Sequence, residues 1–313
     1  MKKLTRSECA EILRAHDNFA IVTHRRPDGD TIGSSALLCM GLRQLGKTAH
    51  ILANPEITPK YTHLHQGLTK AAVEAGDFVV TVDVASDNML PDCFKDLTFD
   101  LRIDHHGSAT SFTPVELVES GAAACGEIVY WVLIEMGAEL DIPMANALYT
   151  AISTDTGCFR YANTTGDTFT VAAACAKAGA EVFQINQALF ETNSLARLQV
   201  QSWMLSNARF LQDGQVAICP LPKAVEEQFG AKEDDLENIS GFPRTIEGVE
   251  LAVTLREDGT NRVKMSVRAV PGQDAAALCA KFGGGGHKGA AGASMNLTMD
   301  QAVEAVIAAL PTV

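Results

Sequence analysis

Short apolar runs that alternate with helical patterns constrain the fold of this 313-residue chain more than any other feature. Four such runs predict buried strands: FAIVTH (19–24), TAHILA (48–53), FVVTVD (78–83) and DLRIDHH (100–106). Helical patterns lie between or after them, at 31–46, 122–137 and 143–154. Strands that alternate with helices are typical of an α/β domain. We therefore predict an N-terminal, mostly parallel sheet with helices on both faces.

The last third of the chain has a different pattern. Residues 186–210 contain neither Gly nor Pro and predict a helix that connects two domains. Strand-like segments then follow at 215–221, 249–257 and 262–270, with helical patterns at 274–282 and 299–310. The predicted division is a first domain over 1–185, a helical linker over 186–212 and a smaller α+β domain over 213–313.

Composition and charge limit the classes of function. Hydrophobic residues make up 47% of the chain and charged residues 20%, which is typical of a folded globular protein. The formal net charge of −13 argues against a protein that follows long nucleic acids, because such proteins need many cations. Charges near the N-terminus oppose a signal peptide, and no apolar run is long enough to span a membrane. We expect a soluble, cytoplasmic protein without a membrane partner.

Acidic and histidine residues gather where the predicted strands end. In an open parallel sheet, ligands bind beyond the carboxyl ends of the strands. Three segments deliver such residues to that edge, and Asp155 in STDTGCF closes a predicted helix that could reach it. The residues of the three segments are His24, Asp28 and Asp30; Asp83; and Asp104, His105 and His106.

Each of these residues also has a simpler interpretation. Asp28-Gly29 is a common turn pair, Asp30 is a good helix N-cap, and Asp83 could start a loop. The joint occurrence favours a functional cluster, because mixed histidine and carboxylate ligands suit divalent metals such as Mn²⁺. Two such ions can act together on a phosphoryl group.

Four segments resemble the ordered motifs of the DHH phosphoesterase family: THRRPDGDTIGSS, VDVAS, IDHHGS and STDTGCF. SVRAV and FGGGGHKGAAG are similar to the DHH-associated C-terminal domain, so the likeness covers nearly the whole chain. Within the family it is strongest to NrnA-type oligoribonucleases that also act on 3′-phosphoadenosine 5′-phosphate (pAp).

The resemblance implies roles for individual residues. His24, Asp28 and Asp83 would hold one metal; Asp30, His105 and Asp155 would hold a second, with Asp83 shared as a bridge. The expected ions are two Mn²⁺, with Mg²⁺ or Co²⁺ as alternatives.

The resemblance also implies roles for the other two residues of the DHH motif. His106 would contact the scissile phosphate, and Asp104 would orient its neighbours.

The glycine run that precedes His287 has two interpretations. Such a run can be a flexible linker, or its backbone N–H groups can form an anion nest. Its position inside a predicted domain favours the nest. The resemblance implies that the substrate contacts are Arg268, Gly284, Gly285, Gly286 and His287.

The resemblance implies hydrolysis of short oligoribonucleotides of two to four nucleotides, linear dinucleotides such as pApA, or pAp, releasing nucleoside 5′-monophosphates. The partner is then a small nucleotide or short RNA, and a homodimer is plausible by analogy. Three alternatives stay open: a RecJ-like single-strand exonuclease, a manganese inorganic pyrophosphatase, and a non-catalytic nucleotide sensor.

Overall fold

The computed structural model describes residues 2–107, 110–259 and 261–310. The chain forms two compact units, whose boundary lies between Thr192 and Asn193. In the described residues, no helix combines the length and the apolar character that crossing a membrane requires.

The first unit contains a seven-stranded sheet in which every neighbouring pair of strands is parallel. The strand order is β1-β7-β6-β5-β2-β3-β4. The strands are β1 (Lys2–Lys3), β2 (Phe19–Val22), β3 (Ala49–Leu52), β4 (Thr69–Lys70), β5 (Phe78–Val82), β6 (Leu101–Asp104) and β7 (Val115–Val118).

Alternate residues of the central strands face two different apolar clusters. On β2, Phe19 and Ile21 belong to the larger cluster, which includes residues of the α-helices. Ala20 and Val22 belong to a smaller cluster with residues of the segment 84–99, which contains two short 3₁₀ helices. The helices of this unit are α1 (Arg6–Ala15), α2 (Gly29–Gln44), α3 (Cys125–Met136), α4 (Ile142–Asp155), α5 (Gly166–Lys177) and α6 (Val182–Asn186).

Two glycines let α2 and α4 approach each other closely. A Cβ atom added at Gly33 would lie 2.3 Å from the carbonyl oxygen of Ala147, and one added at Gly29 would lie 2.4 Å from Thr154 Cγ2. Both distances are shorter than any allowed non-bonded contact, so a larger residue would push the helices apart. This close packing brings the C-terminal end of α4 beside the first turn of α2.

The second unit contains a six-stranded sheet of order β12-β13-β11-β10-β9-β8. Its strands are β8 (Arg209–Leu211), β9 (Val216–Leu221), β10 (Leu251–Glu257), β11 (Val263–Ala269), β12 (Gly285–His287) and β13 (Ala290–Met295). The pair β9–β10 is parallel and the other pairs are antiparallel. Its helices are α7 (Leu195–Ser206), α8 (Lys223–Gln228), α9 (Ala275–Ala280) and α10 (Met299–Ala309).

The predicted fold class is confirmed, and all four predicted strands of the first sheet are present. The continuous helix predicted over 186–210 is wrong. The α6 helix continues as a π-helical turn to Glu191, and α7 begins after Ser194, whose hydroxyl accepts a hydrogen bond from the Arg197 amide. A serine cap therefore starts a new helix where the sequence has no helix-breaking Gly or Pro. The end of the predicted helix also overlaps Arg209, which belongs to strand β8.

Candidate metal centre

The structure gathers the predicted residues at the carboxyl edge of the first sheet. His24 follows β2, Asp83 follows β5, and Asp104 ends β6, directly before His105 and His106. Asp28 and Asp30 lie at the start of α2, and Asp155 is the last residue of α4. Three groups of side chains in this cluster are close enough for each to hold a metal ion: His24, Asp28 and Asp83; Asp30, His105 and Asp155; and Asp83, His105 and His106.

The first group is built around His24. Its Nε2 atom lies 3.8 Å from Asp28 Oδ1 and 3.8 Å from Asp83 Oδ2. Its Nδ1 atom lies 2.7 Å from the carbonyl oxygen of Arg25 and must carry the proton of that hydrogen bond. Nε2 is therefore the ring nitrogen that faces the two carboxylates. Burial opposes a charged ring, but the neighbouring Asp28 raises the pKa of His24 above its ordinary value, so a metal ion at Nε2 would take the place of a proton.

The second group is built in the same way around His105. Its Nε2 atom lies 3.7 Å from Asp30 Oδ2, 3.5 Å from Asp83 Oδ1 and 3.6 Å from Asp155 Oδ2. Its Nδ1 atom lies 3.2 Å from the carbonyl oxygen of Ala122. A backbone carbonyl thus fixes the tautomer of each ring, as is usual for metal-binding histidines.

Both groups fit metal ions better than hydrogen bonds. In each group, the histidine Nε2 atom faces carboxylate oxygens at 3.5–3.8 Å, which is longer than an ordinary hydrogen bond. Two atoms that each lie about 2.1 Å from one ion are about 3.0–3.4 Å apart, close to the spacing seen here. Asp83 Oδ1 is buried and has no hydrogen-bond partner among the described residues. A shared cation would satisfy all these atoms.

The concentration of negative charge at this site also favours bound cations. Burial, followed by repulsion from Asp30 and Asp28, raises the pKa of Asp83 well above its ordinary value. Burial and the same two neighbours raise the pKa of Asp155 to about 8. Without added positive charge these carboxyl groups cannot all be ionised at neutral pH, whereas bound divalent ions would restore the ionised forms.

The two aspartates of the PDGD turn have different structural roles. Asp28 is the N-cap of α2, because its Oδ1 accepts hydrogen bonds from the amides of Asp30 and Thr31. The interpretation of Asp30 as that cap is wrong. Asp30 instead accepts hydrogen bonds from the amides of Cys125 and Gly126, at the start of α3. The positive end of α3 therefore stabilises its charge and fixes its orientation.

Asp83 has an unusual backbone conformation. Its φ angle is +59°, in the left-handed region that few residues other than Gly, Asn and Asp adopt. Its amide donates to the carbonyl of Ile103, while the Thr31 hydroxyl donates to the carbonyl of Val82 at 3.0 Å. These bonds hold the strand end so that the two Asp83 oxygens face different histidines.

His106 and Asp104 form a hydrogen-bonded pair beside the two groups. The Nδ1 atom of His106 lies 2.8 Å from Asp104 Oδ1, which also accepts hydrogen bonds from the amides of His105 and His106. Asp104 is fully buried, whereas about a third of the His106 side chain is exposed. The pair therefore leaves Nε2 of His106 as the ring nitrogen available to a bound phosphate.

Two asparagines that support this site were missed by the sequence analysis. Asn163 Nδ2 donates to the carbonyls of Ala123 and Asp155, and so connects the end of α4 to the start of α3. Asn54 Nδ2 donates to Thr23 Oγ1 and to the carbonyl of His24. Both lie in loop-like segments, where Asn is common as a turn residue, so no sequence signal distinguishes them.

In the second unit, the register of the sheet aligns Arg268 with His287. Arg268 on β11 pairs with Ala290 on β13, and His287 on β12 pairs with the same Ala290. Residues that pair directly point to the same face of a sheet, so the two side chains flank a small residue, roughly 9–10 Å apart across two strand spacings. On the same face the next row contains Ser266, Gly292 and Gly285. This face of the sheet therefore places the Arg268 guanidinium and the His287 imidazole beside small residues.

The glycine run is neither a flexible linker nor a complete anion nest. Gly285 and Gly286 belong to β12, and the amides of Gly283 and Gly284 donate to the carbonyls of Ala280 and Cys279. A Cβ atom at Gly284 would lie 2.2 Å from the Gly292 carbonyl oxygen. At least two of the N–H groups are therefore unavailable to a ligand, and close packing against β13 requires glycine here.

Known proteins are similar to this chain over almost its whole length. A chain from Thermus thermophilus, named bifunctional oligoribonuclease and PAP phosphatase NrnA, is 35% identical over 96% of this chain and 92% of its own length. The model of the DHH family N-terminal domain matches residues 18–152, and that of the DHHA1 domain matches residues 213–312. This chain belongs to the DHH family.

Other DHH-family similarities extend over both units. A Bacillus subtilis relative with the same NrnA name is 25% identical over 93% of each chain. The crystal structure of an exopolyphosphatase-related protein from Bacteroides fragilis superposes with a TM-score of 0.85 at 25% identity, covering 97% of this chain and 94% of that one. As a DHH-family phosphoesterase, the chain is a hydrolase of phosphoester bonds.

Proposed function

We propose that the protein is a two-metal phosphoesterase of small nucleotides. Its substrates are short oligoribonucleotides of two to four nucleotides, linear dinucleotides such as pApA, and pAp. Its products from oligonucleotides are nucleoside 5′-monophosphates. The observation that carries the proposal is Asp83, whose two carboxylate oxygens face His24 and His105 in separate ligand groups.

We assign one ion to His24, Asp28 and Asp83, and the other to Asp30, His105, Asp155 and the shared Asp83. The mixture of imidazole and carboxylate favours Mn²⁺, with Mg²⁺ and Co²⁺ as weaker alternatives. When bound, two such ions supply positive charge at the phosphoryl oxygens and a water molecule of lowered pKa as the nucleophile.

His106 and Asp104 have supporting roles in this proposal. The Nε2 atom of His106 faces away from Asp104 and binds a phosphate oxygen. The hydrogen bond from Nδ1 to the buried Asp104 carboxylate fixes the orientation of the ring. Asp104 is therefore a positioning residue, and His106 is the residue that contacts the substrate.

We assign recognition of the rest of the nucleotide to the second unit. Arg268 and His287 flank Ala290 and offer hydrogen-bond donors to a phosphate or a base. Gly285 leaves open space beside them, whereas Gly284 and Gly286 pack closely against β13. On this basis we assign a function to each predicted range. Residues 1–185 form the catalytic domain, 186–212 the linker and 213–313 the substrate domain.

The names of the relatives support the substrate class. Two chains that match almost all of this one are named bifunctional oligoribonuclease and PAP phosphatase. The retained set of carboxylates and histidines disfavours a non-catalytic sensor. The DHHA1 domain disfavours a manganese inorganic pyrophosphatase, whose C-terminal domain is expected to be of another type.

A product profile on metal-depleted protein tests the proposal. The protein is treated with chelator, dialysed, and assayed with Mn²⁺, Mg²⁺ or Co²⁺ on pApA, pAp, a 20-nucleotide RNA and pyrophosphate. We expect no activity without metal, the highest activity with Mn²⁺, and turnover of pApA or pAp to AMP.

Full activity in the presence of chelator after exhaustive dialysis would contradict the two-metal mechanism. If pyrophosphate were the only compound hydrolysed, the protein would be an inorganic pyrophosphatase rather than a phosphoesterase of nucleotides.

A further inference from the structure

The turn that follows Asp155 has a strained backbone. Gly157, Cys158 and Phe159 have φ angles of +56°, +59° and +62°, so three consecutive residues are left-handed. This conformation is unfavourable for Cys and Phe, because their Cβ atoms crowd the following carbonyl. Neighbouring groups hold it in place: the Cys158 amide donates to the Ser153 carbonyl, and the Phe159 amide donates to the Thr156 hydroxyl.

The turn directs two aromatic side chains in different directions. Phe159 packs against the main apolar cluster of the first unit and stacks on Phe169, with 5.6 Å between ring centroids and 22° between planes. Tyr161 instead stays 48% exposed. A Cβ atom added at Gly157 would lie 2.3–2.6 Å from Cζ, Cε1 and Cε2 of Tyr161, so the phenol end of the ring covers the glycine face-on.

Tyr161 lies close to the candidate metal centre. Its amide donates to the carbonyl of Thr156, the residue after Asp155. Gly157, which the ring covers, is two residues from Asp155, so their Cα atoms are at most about 7.6 Å apart. Four aromatic residues are markedly exposed in the described parts of the chain: Tyr161, Phe169, Phe183 and Phe210. Of these, Tyr161 alone lies in the loop that directly follows a residue of the ligand groups.

We propose that Tyr161 is the stacking platform for one nucleobase of the substrate. One ring face is seated on Gly157, and the exposed part of the ring can receive a base. The inference rests on the proposed function, because it requires a nucleotide whose phosphate is held beside Asp155. A base attached through one ribose to that phosphate reaches the neighbourhood of Gly157. Stacking uses the π-face that all bases share, so this contact selects nucleotides over simple phosphate esters without selecting a base sequence.

Variants at Tyr161 test the proposal in the metal-loaded protein with a dinucleotide substrate. We expect Tyr161→Ala to raise KM about 5- to 150-fold, the range that loss of one base–aromatic stack gives, with a smaller change in kcat. Tyr161→Phe keeps the ring and should restore the wild-type KM. Phe183→Ala removes another exposed aromatic ring, from α6, and serves as the matched control.

Two kinds of substrate analogue identify the stacked base and report the stacking directly. A dinucleotide that lacks one base should lose the Tyr161 effect if the missing base is the stacked one, so abasic analogues at each position identify that base. A 2-aminopurine dinucleotide, titrated in the presence of Ca²⁺, reports stacking as fluorescence quenching that Tyr161→Ala should abolish.

The outcomes distinguish this inference from the proposed function. A wild-type protein that hydrolyses no dinucleotide would overturn the function. An active protein in which Tyr161→Ala leaves KM and 2-aminopurine quenching unchanged would overturn the stacking platform alone. A melting temperature equal to that of the wild type would show that any loss in Tyr161→Ala is not due to unfolding.

Discussion

Asp83 directs its two carboxylate oxygens to different histidines, and its backbone conformation makes this possible. Oδ2 faces His24 and Oδ1 faces His105, at 3.8 and 3.5 Å. The left-handed φ angle turns the side chain away from the direction that a continuing strand would give it. Strained residues of this kind persist where the surrounding structure fixes them, often at functional sites.

Asp83→Asn is expected to remove the bridge between the two ions. Asn tolerates the left-handed region about as well as Asp, so the change removes charge without adding strain, whereas Ala would do both. We expect fewer than two tightly bound Mn²⁺ per chain, measured by elemental analysis after dialysis, and loss of activity by at least about 100-fold, which is typical of a disrupted metal site.

Asp28→Asn provides the comparison, because Asp28 belongs to one group alone. It should retain one tight ion. Two tight ions in Asp83→Asn would show that Asp83 is not the bridge.

The raised pKa of Asp155 predicts how the stability of the metal-free protein depends on pH. The pKa is about 8 in the folded state and about 3.8 in the unfolded chain. Between these values the folded state binds more protons, so the free energy of unfolding falls as the pH rises toward 8. In chelator, the melting temperature should therefore decrease from pH 5 to pH 8, and Mn²⁺ should raise it more at pH 8.

Asp155→Asn cannot ionise and should show a shallower decrease in chelator than the wild type. Parallel curves for the two proteins would mean that burial of Asp155 does not set this dependence.

At the scale of elements, the sequence predicted the strands, and the meeting of the candidate residues at one edge of the sheet, better than it predicted the connections between elements. Val- and Ile-rich runs and the acidic and histidine residues at their ends are local signals, and parallel order sends all those ends to one edge. The interruption at Ser194 and the use of α3 to orient Asp30 depend on contacts between distant segments. The start of α3 and Asp30 are separated by 95 residues, so no local pattern reveals their contact.

The pairing of β11, β13 and β12 predicts that Arg268 and His287 act together in recognition. Arg268→Ala and His287→Ala should each lower kcat/KM for pApA by at least about 10-fold, because each removes a charge-assisted or polar contact. Hydrolysis of bis-p-nitrophenyl phosphate should change little, since this diester needs the metal centre alone. Lys264→Ala, on the same strand but outside the row, is the matched control. Equal losses on both substrates would mean that the strand affects the metal centre or folding instead.

At the scale of the whole molecule, the distribution of charge predicts the length of the substrate. The net charge is −13, and the four aspartates of the ligand groups account for four of those charges. Two divalent ions would neutralise these four, so most of the acidic excess lies elsewhere on the protein. A long RNA would cross that surface without the cations needed to displace its counterions, and repulsion would weaken its binding. A dinucleotide exposes few phosphates to this repulsion.

We therefore expect 5′-phosphorylated RNA of two to four nucleotides to be hydrolysed far better than a 20-nucleotide RNA, with nucleoside 5′-monophosphates as products. The measurement is kcat/KM along a ladder of lengths at fixed salt, repeated at a second salt concentration. If repulsion limits the long substrate, added salt should narrow the difference, because it screens charges beyond about 10 Å at 0.1 M ionic strength. If added salt leaves the length preference unchanged, the preference comes from the shape of the site rather than from charge. A flat profile, or a rate that rises with length, would favour a RecJ-like exonuclease.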